Sequence, residues 1–151
     1  MNTFSGGQVS VVQRLLQLPK GTIDFDEVNN MKKRGYDVAK EEGHLSIVEL
    51  LANADHGDKQ EAMFLTACKE GREDELKQIL IEREDIKKSC GAVGFRIACQ
   101  YGQLAVVNLF LEQPERVIDI TAKTREGNNG FIFACRGMLR VLDLLSNLVY
   151  K

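Results

Sequence analysis

Tryptophan is absent from this 151-residue chain, and proline occurs only at Pro19 and Pro114. Seven phenylalanines and three tyrosines make up the aromatic complement, which suits a helical body better than a β-sandwich. Neither charge dominates: 20 basic against 22 acidic residues leave −2. Binders of nucleic acid or anionic membranes need a basic surplus, so neither partner is expected. No apolar run approaches the ~20 residues of a membrane helix, and membrane insertion is not expected. Residues 1–8, MNTFSGGQ, lack the basic-then-apolar order of a signal peptide. A cytoplasmic setting with reduced thiols follows as the expectation. The cysteines, Cys68, Cys90, Cys99 and Cys135, form no Cys-x-x-Cys pair, and none stands at zinc-finger spacing from a histidine. No metal or other cofactor is therefore expected. Catalytic signatures are missing too. There is no Gly-x-Ser-x-Gly and no His-Glu-x-x-His, and Ser5-Gly6-Gly7 lacks the Lys-Ser/Thr of a phosphate loop.

What is present is internal repetition. Residues 7–25 (GQVSVVQRLLQLPKGTIDF) align without a gap on residues 102–120 (GQLAVVNLFLEQPERVIDI), an offset of 95 with eight of 19 positions identical. Both prolines fall in the match. An offset of 95 is about three periods of ~32, the range of helical repeats, and intermediate copies exist. Gly43, Gly71 and Gly102 each follow an alanine by four residues, at Ala39, Ala67 and Ala98, and Ala134 heads a shortened version at Gly137. Ahead of each alanine stands an aromatic: Tyr36, Phe64, Phe95 and Phe131. Aromatic and alanine three positions apart share one helical face, and a glycine at the turn allows the helix to end. A second helix then carries apolar residues on one face: Leu45, Ile47, Val48, Leu50 and Leu51 in one copy, and Leu104, Val106, Val107, Leu109, Phe110 and Leu111 in another.

These units resemble ankyrin repeats. Residues 119–131, DITAKTREGNNGF, are similar to the inter-repeat loop D-V-N-A-K-D-x-x-G-x-T-P-L, and GQLAVVNLFL and GHLSIVELL resemble its G-H-L-E-V-V-K-L-L-L helix. The Thr-Pro-Leu-His tetrapeptide is missing throughout; Gly35, Met63, Gly94 and Gly130 stand in place of its proline. The resemblance implies an all-α solenoid of stacked helix-turn-helix units: a partial repeat over 1–28, then 29–59, 60–89, 90–123 and 124–151. It also implies a non-catalytic protein-binding role. First-helix ends and turns would form a concave groove holding a partner protein through Glu41, Glu42, Lys69, Glu70, Gln100, Tyr101, Phe133 and Arg136. An alternative is the targeting or regulatory segment of a larger enzyme or effector, such as bacterial and viral proteins deliver into host cells.

Other side chains read as architecture. The aromatics form a core ladder between repeats. Cys68, Cys99 and Cys135 share one repeat position beside the small alanine and are expected to be shielded. Helices packed roughly 10 Å apart hold equivalent cysteines too far apart for a disulfide or a shared metal. Cys90 is expected in a loop, as the reactive thiol. His44 fills the Gly-His turn that it caps in ankyrin repeats, and His56 lies in the loop ADHGD. At the start, Gly7 takes a turn position with at most half a first helix before it. At the end, residues 138–151 carry apolar side chains around too much of a helix for a cap. A longer array, or self-association through the C-terminal helix, is the expectation.

Overall fold

The computed structural model describes residues 3–113 and 118–136, and every regular element among them is helical. In chain order these are α1 (Thr3–Leu16), α2 (Gly35–Glu41), α3 (Leu45–Asn53), α4 (Lys59–Glu70), α5 (Glu73–Glu82), α6 (Glu84–Gln100) and α7 (Leu104–Leu111). A last stretch, α8, covers residues 130–136. The all-α class read from the sequence is what forms. The chain divides into two units between Ala62 and Met63.

The Ala-x-x-x-Gly spacing has a backbone cause. Gly43, Gly71 and Gly102 take φ of +74°, +76° and +66°, where a β-carbon would be strained. The residue after each glycine then returns its N–H to the alanine carbonyl: His44 to Ala39 at 2.9 Å, Arg72 to Ala67 at 3.0 Å and Gln103 to Ala98 at 2.9 Å. This six-to-one bond closes the helix and satisfies a carbonyl left open at its end. The helix pairs α2–α3, α4–α5 and α6–α7 are thus joined by one turn, used three times.

In the first unit, α2 packs on α3, and α1 touches α3 along part of its length. Tyr36, Ala39, Val48 and Ala52 are buried there. In the second unit, α5, α6 and α7 pack on one another. Phe110 meets both Phe64 and Phe95 edge-on, with ring centroids 6.2 and 6.3 Å away. Such T-shaped pairs add to the area that the rings bury. The glycines standing for the ankyrin proline have a packing role here. A β-carbon on Gly94 would lie 2.9 Å from the Cys68 sulfur and from Phe64, and one on Gly130 would lie 2.7 Å from Phe95. Helices α4, α6 and α8 approach closely because these positions carry no side chain.

Several expectations give way. Cys90 is not in a loop: it is fully buried in the middle of α6. Ile86, Cys90, Val93 and Ile97 are all buried and fall at helical spacing, so the segment expected as a polar loop extends the first helix instead. As a result α6 runs across the repeat boundary placed between residues 89 and 90. Gly7 lies inside α1 and marks no turn. Tyr36, Phe64 and Phe95 are buried as a core ladder requires, but Phe131 is 75% exposed. Cys68 is buried, Cys99 half-buried and Cys135 exposed, so Cys135 is not shielded. Phe131 and Cys135 both reach solvent from α8. The apolar segment 138–151, on which the self-association expectation rests, lies outside the described residues.

The offset of 95 extends further in conformation than in sequence. Asn29 N–H donates to the Lys33 carbonyl at 3.0 Å, and Thr124 N–H to that of Asn128 at 2.9 Å. Lys32 N–H donates to Asn29, as Gly127 N–H does to Thr124. The Asp24 carboxylate accepts the Asp26 N–H at 3.0 Å, and Asp119 accepts that of Thr121 at 2.9 Å. Two loops of largely different sequence thus share one hydrogen-bond scheme.

Candidate partner-binding surface

Six of the eight candidate contact residues, Glu41, Glu42, Lys69, Glu70, Gln100 and Tyr101, sit where α2, α4 and α6 give way to their glycine turns, and Phe133 and Arg136 lie on α8. Glu41 and Glu42 belong to the first unit. Glu41 is exposed, and its Oε2 accepts from Lys33 Nζ at 2.7 Å. Glu42 is half-buried at the C-terminal cap of α2.

The other six belong to the second unit. Lys69 Nζ lies over the Tyr101 ring, 5.4 Å from its centroid. A cation on the face of a half-exposed ring contributes about 0.5–1 kcal/mol, and both groups still reach solvent. Glu70 is exposed, with Oε2 at 3.3 Å from Arg72 Nε. Gln100 ends α6 and is half-buried; Phe133 is half-buried on α8, and Arg136 is exposed. Lys69, Tyr101 and the turn that supports them therefore come together, while Glu41 pairs elsewhere. Exposed pairs such as Lys33–Glu41 and Arg72–Glu70 contribute roughly 0–1 kcal/mol, so a partner's charges can replace them at small cost.

Two supporting side chains went unforeseen. Gln103 reaches back over Gly71 and donates Nε2 to the Lys69 carbonyl at 2.8 Å, holding one turn against the next. Lys33 was not singled out either. Gln103 had a signal, since it matches Gln8 at the repeat offset; Lys33 had none.

The histidines take other roles. His44 occupies the N-cap of α3 without a side-chain capping bond, so it does not cap the turn as ankyrin repeats would have it. Its backbone alone makes the turn. His56 lies 4.9 Å from the Phe25 ring centroid, with Nδ1 at 3.4 Å from Asp26 Oδ2. Arg34 Nη1 approaches the same carboxylate at 3.8 Å.

A buried polar knot lies below the helix ends of the first unit. The Tyr36 hydroxyl lies 3.0 Å from Glu61 Oε1 and 3.2 Å from the Asp58 carbonyl, and its one proton serves these two acceptors between them. Lys40 Nζ donates to both Glu61 oxygens at 3.3 and 3.2 Å. A charge taken from water needs such partners, since removing one costs about 3–5 kcal/mol. Nearby, burial opposes ionisation of Asp37, but hydrogen bonds from the Arg34 side chain and backbone outweigh it and hold the carboxyl below its usual range. In the second unit, burial pushes the Cys68 thiol far above its ordinary value, so it is a packing group and not a nucleophile.

Among the described residues, no three His, Cys, Asp or Glu side chains are grouped to hold a metal ion. None of the described helices is long and apolar enough to cross a membrane. No protein-family model matches this sequence, and no curated protein matches it.

Proposed function

We propose that the chain is a divergent ankyrin-type solenoid that holds a partner protein non-catalytically, through the ends of its first helices and the turns that follow. The observation that supports this reading most is the thrice-used glycine turn, with the residues just ahead of each glycine reaching solvent. Repetition of one turn places Glu41 and Glu42, then Lys69 and Glu70, then Gln100 and Tyr101, at equivalent positions. Each repeat thereby offers a few side chains, and affinity comes from their number and from a few anchors. Tyr101, braced by Lys69, is the residue type best suited to anchor. The mixed charges of Glu41, Glu70 and Arg136 would set register and association rate more than affinity.

The test is capture of partners by the wild-type chain beside a variant with Glu41→Lys, Glu42→Lys, Lys69→Glu, Glu70→Lys and Arg136→Glu. The variant should keep its helical circular dichroism and lose every partner that the wild type retains. A folded variant that captures the same proteins would refute the reading.

A further inference from the structure

The first unit contains an open apolar groove of about 1060 Å³, lined by α1, the loop after it, α2 and α3. The repeat offset shows what this groove lacks. Val11 is 58% exposed and Leu15 37%, yet their counterparts Val106 and Phe110 are 0% and 2% exposed. Phe110 is covered by Phe95 of α6.

The same helix accounts for two further contacts in the second copy. A β-carbon on Gly91 of α6 would lie 2.7 Å from Ile118, and one on Gly130 would lie 2.7 Å from Phe95. The counterparts of Ile118 and Gly130 are Ile23 and Gly35. Both line the groove, and a β-carbon on Gly35 would meet nothing within 4 Å. Thus the residues that touch α6 in one copy face the groove in the other.

Charge points the same way. The Asp119 carboxyl is held low chiefly by the Thr121 hydroxyl and N–H, and Arg96 of α6 adds a minor electrostatic contribution. Asp24, the counterpart of Asp119, lines the groove together with Glu27, which makes no ion pair among the described residues. Lys33, also on the lining, is already neutralised by Glu41. The polar edge, which His44 joins, is left acidic.

We propose that this groove is a docking slot for a basic amphipathic helix of a partner protein, seated against α1 as the second half of α6 is seated against α7. The docked helix carries an aromatic residue at the place of Phe95, a base beside it at the place of Arg96 and a small residue at the place of Ala98. Helix-in-groove recognition of this kind takes its affinity from anchors spaced three and four apart. The slot includes none of the second unit's helix-end residues, so a variant there separates its failure from that of the reading above.

The probe is a fluorescein-labelled peptide of residues 86–101 with Cys90→Ala and Cys99→Ala, which carries Lys87, Lys88 and Arg96 and no acidic residue. Its anisotropy is followed on titration with the full chain. Binding should saturate, weaken with salt, and disappear with Val11→Asp or Leu15→Arg, both at exposed positions that leave folding intact by circular dichroism. Phe95→Ala in the peptide should weaken binding by about ten-fold, as loss of one anchor does. A variant limited to the helix ends of the second unit, Lys69→Glu, Glu70→Lys and Arg136→Glu, should still bind. Absence of saturable binding, or binding indifferent to Val11→Asp, would overturn the proposal. So would light scattering that shows a dimer of the chain abolished by Leu15→Arg, since the slot would then belong to a second copy.

Discussion

Asn29 and Thr124 stand at one place in two copies of a loop, and each organises it with a side-chain oxygen. Asn29 Oδ1 accepts the N–H groups of Met31 and Lys33 at 2.8 and 3.1 Å, and Thr124 Oγ1 accepts that of Asn128 at 3.3 Å. The loops agree even where residue types favour different backbones: Lys32 has φ +59° and Gly127 +84°. The helices that precede them match better in sequence, yet they differ in environment. Val106 is fully buried while Val11 is open. Loop conformation is thus a local property, fixed by a few hydrogen bonds within ten residues. Burial is a property of what is stacked alongside, and identical residues do not ensure it.

The largest expected contrast comes from deleting matched side chains. Phe110→Ala removes a ring packed edge-on between Phe64 and Phe95 and should cost about 3–5 kcal/mol. Leu15→Ala, at the counterpart position, should cost about 1 kcal/mol or less, since much of that side chain already meets water. Urea unfolding of both variants measures the gap. Equal costs would mean that α1 is as well covered as α7.

Adding a carbon should give the next contrast. Gly130→Ala drives a methyl into Phe95 and should destabilise by about 1–3 kcal/mol, as overpacking does. Gly35→Ala meets open space at the first position of α2 and should be neutral or stabilise by up to about 1 kcal/mol. If both destabilise equally, the cost lies in the backbone and not in a neighbouring helix.

The loops themselves can be exchanged in one atom-sized step. Lys32 holds a left-handed backbone that costs a side-chain-bearing residue about 1–2 kcal/mol. Lys32→Gly should recover up to about 1 kcal/mol of that, less the extra freedom glycine gains when unfolded. Gly127→Lys should lose a similar amount. Thermal melting of the pair checks whether the two loops are energetic as well as geometric equivalents.

How much of this was legible depended on whether the signal was local. The turn at Gly43, Gly71 and Gly102 was readable because one backbone bond spans six residues and leaves the mark Ala-x-x-x-Gly. Cys90 was misread because a repeat template assigned it to a loop, although Ile86, Cys90, Val93 and Ile97 already had helical spacing. The strain at Lys32 had no mark of its own and emerged only through its counterpart Gly127. Among the contact residues, placement at helix ends was readable, but the bracing of Tyr101 by Lys69 was not, since those side chains are 32 positions apart. The knot of Tyr36, Lys40 and Glu61 was hidden for the same reason, with partners 21 and 25 positions apart. The slot beside α1 had no mark of its own in the sequence, since Val11 is identical to its counterpart Val106, which is buried.

The smallest expected effect lies where the two loops differ by a single hydroxyl. Asp119 accepts the Thr121 hydroxyl at 2.6 Å as well as the Thr121 backbone N–H, whereas Asp24 faces Asp26, which brings only its backbone N–H. The Thr121 hydroxyl, then its N–H, hold the Asp119 carboxyl below the ordinary range. A carboxyl depressed in the folded state stabilises it above the unfolded value, near pH 3.9, and that contribution fades as pH falls through the folded value. Thr121→Val keeps the backbone donor and removes the hydroxyl, so the carboxyl should move up towards its ordinary value. Carbon-detected NMR titration of the wild type and the variant reads this directly. The stability difference between them should be small at pH 7, shrink below pH 4 and vanish near pH 2. A carboxyl that titrates identically in both would show that the hydroxyl adds nothing to what the backbone N–H groups and Arg96 already supply.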